Sequence, residues 1–400
     1  MKELIKKFIP DFVLRRYHWK LAFLAAVLYG FPSRRLKVIG ITGTNGKSTV
    51  AELTTKILEE AGCKAASLSS IKFKIGKEER PNTLKMTMPG RFKIQKFLRQ
   101  AVKAGCQYAV LEVTSEGIKQ YRNKFINFEA AVFTNLSPEH IEAHGGFEKY
   151  REAKGKLFKT TKKIHIINID DENAKYFLQF PANKKYTYGL NQGDINNRDI
   201  KLQLSLIGNF NIYNALAAIG VGLSQGIGLE TCKKAVEKVK GIPGRMEEVV
   251  SQPFKVFVDY AFTPNALEKV YQAIKNNFRP KRMICVLGAC GGGRDKWKRP
   301  VLGKIAAKYC DEVIVTDEDP YDEEPMEIIE QVSKGTDGKA KKILDRREAI
   351  RDSLKSAQHG DTVIITGKGC EPWIVEKGKK IPWDDRKIIR EEIEKIKFDN

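Results

Sequence analysis

Short apolar runs alternate along the chain with longer segments in which apolar residues recur at helical spacing. Near the N-terminus, residues 38–41 form such a run and residues 50–58 show the helical spacing, with a glycine-containing turn at 43–49 between them. A buried parallel strand, a glycine-rich turn and a helix in this order are typical of a phosphate-binding loop, because main-chain N–H groups at the helix start can surround phosphate oxygens. The pattern therefore predicts a nucleotide-binding loop here.

The residue types in this turn agree with that prediction. The turn contains Gly43, Thr44, Asn45, Gly46, Lys47, Ser48 and Thr49. The glycines would let the main chain turn inwards, Lys47 would reach the β- and γ-phosphates, and Ser48 would place its hydroxyl on Mg²⁺. Ile41 stands where the general motif has its first glycine, so an ordinary strand-to-helix turn is the alternative interpretation.

The same alternation continues along the chain and predicts an α/β protein. Further apolar runs lie at 108–112, 130–134, 257–261, 284–288, 312–316 and 362–366, and a hairpin is expected around 71–75. Residues 241–245 combine Gly and Pro at a change in composition and indicate a linker. We predict a basic, apolar helical segment at 1–35, a P-loop domain with a mostly parallel sheet at 36–243, and a Rossmann-like α/β domain at 244–400.

Polar residues follow several of the predicted strands, where α/β sheets collect their ligands. Glu112 ends the run at 108–112, which favours a role beside the metal of a bound nucleotide. After the next run, His140 and His144 occur together with Glu139 and Glu142, a combination that indicates metal and substrate ligands. A second polar cluster includes Asn209, Asn211 and Asn214 at the start of a helix; its amides would cap that helix or hydrogen-bond a base.

The first 35 residues have an unusual composition. Basic residues surround an apolar run at 21–29, which is shorter than the roughly 20 residues that a membrane-spanning helix needs. No cleavage site of the A-x-A type follows, and the predicted P-loop strand begins at once. Two interpretations are open: a helix packed on the body of the protein, or a basic, aromatic-rich helix on the cytoplasmic face of a membrane.

Charge and cysteine content narrow the class of protein. The 400 residues carry a formal charge of +22, from 71 Lys and Arg against 49 Asp and Glu, spread along the chain. This excess favours anionic ligands, and because no nucleic-acid motif accompanies it, we expect nucleotides rather than nucleic acid. The seven cysteines form no C-x-x-C pair, so we expect buried thiols in a reducing cytoplasm.

Taken together, the motifs resemble those of the Mur ligase family, ATP-dependent amide-bond ligases of peptidoglycan precursor synthesis, and most of all its MurE-type tripeptide synthetases. The resemblance rests on GTNGKST at 43–49, LEVTSEG at 111–117, TNLSPEHIEAHG at 134–145, YREAK at 150–154, GNFNIYNALAA at 208–218, GIPGRME at 241–247, DYAFTPNAL at 259–267, GACGGGRDKWKRP at 288–300 and GKGCE at 367–371. Their order and spacing extend the resemblance from about residue 36 to residue 385.

The resemblance implies a role for each matching residue. It implies that Lys47 binds the γ-phosphate of ATP, that Ser48, Glu112 and His140 bind Mg²⁺, and that Lys154 is carbamylated and helps to hold a second Mg²⁺. The implied nucleotide contacts are Asn211, Asn214, Arg245 and Asp259. The implied contacts to the muramoyl-peptide are Thr87, Ser115 and Arg122, and those to the incoming amino acid are Arg294, Asp319, Gly367 and Glu371.

The implied reaction is ligation through an acyl phosphate, by a protein that we expect to be a cytoplasmic monomer acting on a muramoyl-peptide and an amino acid. Two departures modify this expectation. Only 35 residues precede the P-loop region, where the family has a UDP-binding domain, so a lipid-linked or other non-UDP acceptor is an alternative. The family's D-N-P-R motif is Glu318 to Tyr321 here, with several acids nearby, which predicts an added amino acid with a cationic side chain, such as lysine or ornithine.

Two other functions are alternatives. A folylpolyglutamate synthase is related and also lacks the UDP-binding domain, although GIPGRME, DYAFTPNAL and GKGCE favour the Mur ligases. A non-catalytic scaffold with a degenerate site is the other, and the family's histidine is indeed replaced at Glu116, Phe262 and Cys370. Intact Lys47, Glu112 and Lys154 argue against a scaffold.

Overall fold

The computed structural model of the protein describes residues 10–396. Lys2, Lys6 and Lys7, which contribute to the predicted basic N-terminal segment, lie outside the described residues. The described chain forms two compact units, the first from residues 10–136, 147–204 and 211–238 and the second from residues 137–146, 205–210 and 239–396.

The first unit is built on a nine-stranded sheet. Its strands are β1 (Lys37–Thr42), β2 (Ala65–Leu68), β3 (Lys72–Ile75), β4 (Glu78–Pro81), β5 (Tyr108–Glu112), β6 (Phe128–Phe133), β7 (Ile164–Asn168), β8 (Lys184–Gly189) and β9 (Ile195–Asn196). They lie in the order β4-β3-β2-β5-β1-β6-β7-β8-β9. The predicted hairpin is formed by β3 and β4. The pairs β4–β3 and β3–β2 are antiparallel, whereas all neighbouring pairs from β2 to β9 in the sheet order are parallel. The prediction of a mostly parallel sheet is confirmed.

Helices connect these strands. They are α1 (Asp11–Leu28), α2 (Lys47–Glu60), α3 (Arg91–Lys103), α4 (Ser115–Lys119), α5 (Ile141–His144, in the second unit), α6 (Phe147–Thr160), α7 (Ala174–Leu178), α8 (Asn197–Ile200), α9 (Asn209–Ser224) and α10 (Leu229–Glu237), with a 3-10 turn at Pro32–Arg35. Strand β1 is buried from its second residue onwards and lies between β5 and β6 in the sheet. The turn at 43–49, which the sequence predicts to bind phosphate, therefore leaves from the middle of the sheet, where a buried strand fixes its start.

The second unit contains a six-stranded sheet in the order β10-β11-β15-β12-β13-β14. Its strands are β10 (Glu247–Val250), β11 (Lys255–Asp259), β12 (Met283–Leu287), β13 (Glu312–Val315), β14 (Ala340–Lys342) and β15 (Thr362–Thr366), and a separate hairpin is formed by β16 (Trp373–Glu376) and β17 (Lys379–Pro382). All pairs of the sheet are parallel except β10 with β11. The four predicted strands β11, β12, β13 and β15 are its centre.

Helices cover both faces of this sheet. They are α11 (Pro264–Phe278), α12 (Lys298–Tyr309), α13 (Pro325–Ser333), α14 (Arg346–Ser356) and α15 (Asp385–Ile393), with a 3-10 turn at Lys334–Thr336. Alternate residues of one strand explain the two layers, since Phe257 packs with α11 and α12 on one face while Val256 and Val258 pack with α14 and α15 on the other. Apolar runs without polar alternation are expected for strands buried on both faces. Among the described residues, no helix combines the length and apolarity needed to cross a bilayer.

Candidate active site

The turn after β1 needs glycine at two positions. Gly43 has a φ of 151°, and a Cβ there would lie 1.9 Å from the Oγ1 of Thr134. Gly46 has a φ of 84°, and its Cβ would lie 2.3 Å from the Oδ1 of Asn214. Both positions combine a positive φ with a close neighbour, so the turn keeps this shape only with glycine. The loop is therefore packed between the residue that follows β6 and the helix α9.

The loop is further held by the chain that follows β6. Asn135 accepts two hydrogen bonds from the loop. The N–H of Thr44 donates to its main-chain oxygen at 2.8 Å, and the N–H of Asn45 donates to the side-chain Oδ1 of Asn135 at 2.9 Å. Thr134 donates from Oγ1 to the main-chain oxygen of Asn45 at 2.7 Å. Hydrogen bonds from a neighbouring strand end therefore fix the loop before any ligand binds.

Two lysines meet at this loop. The Nζ of Lys47 donates to the carbonyl oxygens of Gly43 and Thr44 at 3.1 and 2.8 Å, and the Nζ of Lys154 donates to the same Gly43 oxygen at 2.7 Å. Lys154 is only 2% exposed, and its Nζ lies 4.7 Å from the centre of the Tyr150 ring, whose hydroxyl contacts Thr44 Oγ1 at 3.1 Å. Lys154 of α6, which composition alone leaves unremarkable, therefore contacts the loop after β1.

Two hydrogen bonds through Ser70 link two of the predicted metal ligands, Ser48 and Glu112. Ser48 Oγ lies 2.7 Å from Ser70 Oγ, and the N–H of Ser70 donates to Glu112 Oε1 at 2.7 Å. Glu112 is 1% exposed and Ser48 is 6% exposed. A hydroxyl and a carboxylate at the start of α2 and the end of β5 are the oxygen ligands that Mg²⁺ prefers. The remaining loop hydroxyl, on Thr49, is buried.

Two of the amides predicted to bind the nucleotide, Asn211 and Asn214, lie beside the loop after β1. Asn214 contacts the loop at Gly46 and donates from Nδ2 to Asn211 Oδ1 at 3.0 Å, and both side chains are buried. Asn209 is the first residue of α9. Asn211 and Asn214 therefore form a buried, hydrogen-bonded pair next to the loop, in the first two turns of α9.

The residues predicted to contact the muramoyl-peptide also lie in the first unit. Arg122 donates to the carbonyl of Met88, the residue after Thr87, and to Gln120 Oε1 at 2.7 Å. Burial lowers the pKa of Arg122, with neighbouring Arg91 adding to the effect. Ser115 is buried at the start of α4, where Thr114 caps the helix by accepting from the N–H of Gly117. A cationic, half-buried group of this kind is suited to an acidic substrate.

His140, the remaining predicted metal ligand, lies in the second unit. It precedes α5 with a φ of 56°, and the carboxylate of Asp295 accepts from the N–H groups of Ile141 and Glu142, both at 3.0 Å. Glu139 pairs with Lys298 at 2.8 Å, and both side chains are almost fully buried. Burial raises the pKa of Glu139, while Lys298 opposes the rise. Glu139 therefore serves to anchor the His140 loop.

Arg245, which precedes β10, lies near Asp259, the last residue of β11. The guanidinium of Arg245 stacks 4.5 Å from the centre of the Tyr260 ring and donates to the carbonyl of Gly244 at 2.9 Å. Asp259 is buried and accepts from the N–H groups of Met246 and Ala261, each at 2.7 Å. Burial raises the pKa of Asp259, and Arg245 and these two hydrogen bonds act against the rise.

Lys368 joins the residues predicted to recognise the amino acid. Its Nζ donates to Asp319 Oδ2 at 2.8 Å, to Glu371 Oε2 at 3.0 Å and to the Trp373 carbonyl at 2.7 Å, and the side chain is fully buried. Burial disfavours the charge on Lys368, but Glu371 and Asp319 outweigh it and hold its pKa above the usual range. Gly367, with a φ of 103°, lies against Glu318, because a Cβ there would be 2.3 Å from Glu318 Oε2.

The acids around this cluster are not equivalent. Glu318 is buried and accepts from the Cys290 thiol at 2.9 Å, and burial, reinforced by Asp319, raises its pKa. Glu323 instead pairs with Lys296 and Arg299 at 3.1 and 3.0 Å. Arg294 lies in the loop after β12, where burial opposes its charge while nearby Cys290 and Tyr260 raise its pKa. Part of the acidity seen in the sequence is therefore balanced within the protein.

Three residues of these clusters escaped prediction from the sequence: Ser70, Asn135 and Lys368. Ser70 and Asn135 each follow a parallel strand, so the rule that ligands gather at strand ends was the signal that could have found them. Lys368 lies inside the GKGCE motif, but nothing in sequence spacing reveals a partner 49 residues away in Asp319.

The chain is similar in sequence to known proteins over most of its length. Residues 41–222 match the family model described as "Mur ligase middle domain", and residues 244–369 match "Mur ligase, glutamate ligase domain". The chain is 39% identical, over 93% of its length and 81% of the relative's, to a UDP-N-acetylmuramoyl-L-alanyl-D-glutamate–2,6-diaminopimelate ligase of Syntrophomonas wolfei. It is 36% identical, over 94% of its length and 82% of the relative's, to a UDP-N-acetylmuramyl-tripeptide synthetase of a Roseiflexus species.

Solved structures share the fold. A structure of a UDP-N-acetylmuramoyl-L-alanyl-D-glutamate–2,6-diaminopimelate ligase superposes with a TM-score of 0.58 at 30% identity, over 90% of this chain and 78% of that one. A folylpolyglutamate synthase of Mycobacterium tuberculosis, complexed with ADP and AMPPCP, superposes with a TM-score of 0.70 over 90% and 96% of the two chains, but at only 17% identity. The second likeness concerns the fold alone.

Proposed function

The chain belongs to the Mur ligase family of ATP-dependent ligases that add amino acids to muramoyl-peptides in peptidoglycan synthesis, and we propose that it ligates them through an acyl phosphate. The reaction has two steps. A muramoyl-peptide carboxylate attacks the γ-phosphorus of ATP, giving an acyl phosphate and ADP. The amine of an amino acid then attacks the acyl carbon, phosphate leaves with the former P–O–C oxygen, and the amine loses a proton. The observation that carries the proposal is the convergence of Lys47, Lys154 and the chain from Ser48 to Glu112 on one loop.

In this proposal the loop after β1 holds the phosphates of ATP. Its N–H groups and the Lys47 ammonium would bind the β- and γ-phosphates, which places positive charge where negative charge develops during transfer. Asn211 and Asn214 would shape the nucleotide side of the loop. Arg245 and Asp259 are proposed as contacts to the ATP phosphate and ribose from the second unit.

The oxygen-rich surroundings of Ser48 and Glu112 fit Mg²⁺. The family is ATP-dependent and typically requires this ion, and when bound it would neutralise charge on the transferring phosphoryl group. We propose Ser48, Glu112 and His140 as ligands of a first ion and carbamylated Lys154 as a ligand of a second. Loss of turnover on exhaustive removal of bicarbonate, restored by its return, would support carbamylation; turnover that is indifferent to bicarbonate would exclude it.

The amino-acid end of the reaction is assigned to the cluster around Lys368. Arg294, Asp319, Gly367 and Glu371 are proposed as its contacts, with Lys368 positioning both carboxylates. Thr87, Ser115 and Arg122 are proposed to contact the muramoyl-peptide. We propose that the added amino acid has a cationic side chain, as in lysine or ornithine, because Tyr321 stands where the family motif has arginine. The diaminopimelate ligases among the relatives make that diamino acid the competitor to test.

We propose a cytoplasmic monomer that needs no nucleic acid and that contacts the inner face of the membrane through residues 1–35. A lipid-linked acceptor is the second candidate substrate, and the apolar surface of α1 described below favours testing it. A folate ligase shares the fold, but the relatives that are 39% and 36% identical act, by their names, on muramoyl-peptides.

Amino-acid-dependent ADP release by the purified protein tests the proposed function. UDP-muramoyl-dipeptide would be the acceptor, with lysine, ornithine and diaminopimelate offered in turn. We expect release that requires both the acceptor and one amino acid. Diaminopimelate used much better than lysine would overturn the cationic hypothesis. No release with this acceptor, but release with a lipid-linked acceptor or with a folate and glutamate, would replace the proposed substrate.

A further inference from the structure

Helix α1 packs against the first unit through one narrow face of small residues. Ala22, Ala25 and Ala26 are at most 1% exposed. His18 Nδ1 lies 2.9 Å from Arg91 of α3, and the Trp19 ring contacts that of Phe125 with 5.3 Å between centres. These contacts fix the rotation of α1 about its axis, and so determine which of its side chains face away from the unit.

The face that points away carries exposed apolar side chains from the first turn of the helix to the last. Its exposed apolar side chains are Phe12 (60%), Val13 (41%), Tyr17 (55%), Trp19 (44%), Phe23 (44%), Leu24 (54%), Val27 (48%) and Leu28 (64%). Eight of the thirteen exposed large hydrophobic residues among the described part of the chain therefore lie on this one helix. A contiguous exposed apolar face of this kind marks an interaction site, since scattered single residues are the usual pattern.

Cations lie among and beside these apolar side chains. Residues 12–37 contain six Lys and Arg, residues 91–103 of the neighbouring α3 contain five, and neither segment contains Asp or Glu. Arg16 and Lys20 are exposed on the apolar face itself, and Lys93 and Lys96 are exposed on α3. Long basic side chains can lay their alkyl stems along an apolar surface while their charged ends reach an anionic one.

From this combination we propose that the exposed face of α1 docks on an anionic lipid bilayer. The helix would lie in the plane of the interface, with its apolar side chains below the headgroups and the surrounding Arg and Lys on lipid phosphates. A second copy of the chain is a poorer occupant, because a two-fold contact through this face would bring Arg16 and Lys20 towards their own counterparts. The proposal goes beyond the ligase reaction and does not depend on it.

Co-sedimentation of the full chain with lipid vesicles tests the proposal. Vesicles of phosphatidylcholine alone are compared with vesicles in which about a third of the lipid is phosphatidylglycerol. We expect at least tenfold tighter binding to the anionic vesicles than to the neutral ones. Binding to the anionic vesicles should weaken at high salt. Equal binding to both vesicle types, or binding to neither, would overturn the proposal.

A pair of matched variants separates this face from the rest of the surface. Leu24→Glu with Leu28→Glu changes two leucines one helical turn apart on α1, and Leu229→Glu with Leu344→Glu makes the same changes at exposed leucines elsewhere. The first variant should lose at least tenfold in vesicle binding and the second less than twofold. Equal losses would mean a general effect of charge and would contradict the proposal.

Two further measurements on the same samples separate lipid binding from misfolding and from self-association. ATP turnover with a soluble acceptor should be unchanged in both variants, and their thermal unfolding should match the parent chain. Light scattering after size exclusion reports the oligomeric state. A dimer that dissociates only in the Leu24→Glu, Leu28→Glu variant would show that a second copy covers this face, which would overturn the assignment to lipid.

Discussion

The clusters at Lys154 and Lys368 place a buried lysine in two different ways. In the first unit, Lys154 and Lys47 donate to main-chain oxygens of the loop that we propose holds phosphate. In the second unit, Lys368 donates to the carboxylates of Asp319 and Glu371. The first arrangement ties ammonium groups to a backbone whose shape is set by glycines. The second is a buried ion pair whose members depend on one another.

This difference predicts different consequences of substitution. A lysine whose position is set by a loop should matter mainly for the bound phosphate, so its loss should reduce turnover more than stability. A fully buried lysine paired with a buried carboxylate should matter for folding, since its loss leaves a desolvated charge without its partner. Substitutions in the two clusters can therefore break or sharpen the contrast.

The largest effect is expected at Lys47. Lys47→Met removes an ammonium group that would stabilise the transferring phosphoryl group, and we expect turnover to fall at least about 10³-fold, with little change in the unfolding midpoint. Lys56→Met on the same helix, where the side chain is exposed, is the control and should keep near-parental turnover. A Lys47→Met protein with more than a tenth of the parental rate would remove this lysine from the reaction.

The next effect concerns Lys368. Lys368→Met should lower the free energy of unfolding by about 3 kcal/mol, because Asp319 stays buried, and Glu371 mostly buried, without the ammonium group. Urea unfolding measures the change. Lys341→Met breaks an exposed pair with Asp352 and should cost at most about 0.5 kcal/mol. Similar losses in the two variants would erase the contrast between the clusters, whereas partial recovery on adding Asp319→Asn and Glu371→Gln would sharpen it.

Glycine substitutions test whether the backbone shapes the loop of the first cluster. Gly46 and Gly62 have similar φ values of 84° and 77°, but a Cβ at Gly46 would meet Asn214 at 2.3 Å, and nothing lies within 4 Å of one at Gly62. Gly62→Ala should cost only the backbone term of about 1 kcal/mol, and Gly46→Ala about 1 kcal/mol more. Only Gly46→Ala should weaken ATP binding. Equal ATP affinities, measured by calorimetry, would contradict the proposed role of the loop.

The smallest effect is a pH dependence in the second cluster. Burial raises the pKa of half-buried Asp317 to about 6, so its contribution to stability is complete below about pH 4 and is lost as the pH rises through 6. Asp317→Asn, which keeps an oxygen for the Glu318 N–H, should therefore raise stability more at pH 7.5 than at pH 5, by about 1 to 2 kcal/mol. Exposed Asp322→Asn is the control. The same gain at both pH values would contradict the prediction.

The sequence predicted the architecture where the physical signal is strong. Strands β1, β5, β6, β11, β12, β13 and β15 are buried on both faces and appear as apolar runs. Edge strands β10 and β14 were missed because they contain the half-exposed segments EEVV and AKK, which offer no apolar pattern. The inner strand β7, with the sequence IHIIN, was missed although it is buried throughout. Strand β2, with the sequence AASL, is buried but too short and small to be recognised.

The candidate site was predictable to the same extent. Lys47, Ser48 and Glu112 follow from a motif and from the rule that ligands gather at strand ends. The role of Ser70 between Ser48 and Glu112 depends on how close two segments of the chain come. The role of Lys368 depends on Asp319, which follows a different strand. Such contacts arise from tertiary packing, which residue spacing does not record.

The central claim is that an acyl phosphate forms at the loop after β1, and oxygen labelling tests it most directly. The acceptor carboxylate is prepared with ¹⁸O, and the phosphate released during ligation is analysed by mass spectrometry. Because phosphate leaves with one carboxylate oxygen in the proposed reaction, each turnover should yield phosphate that contains one ¹⁸O. Unlabelled phosphate released in step with ligation would contradict the acyl phosphate and, with it, the account of how this site works.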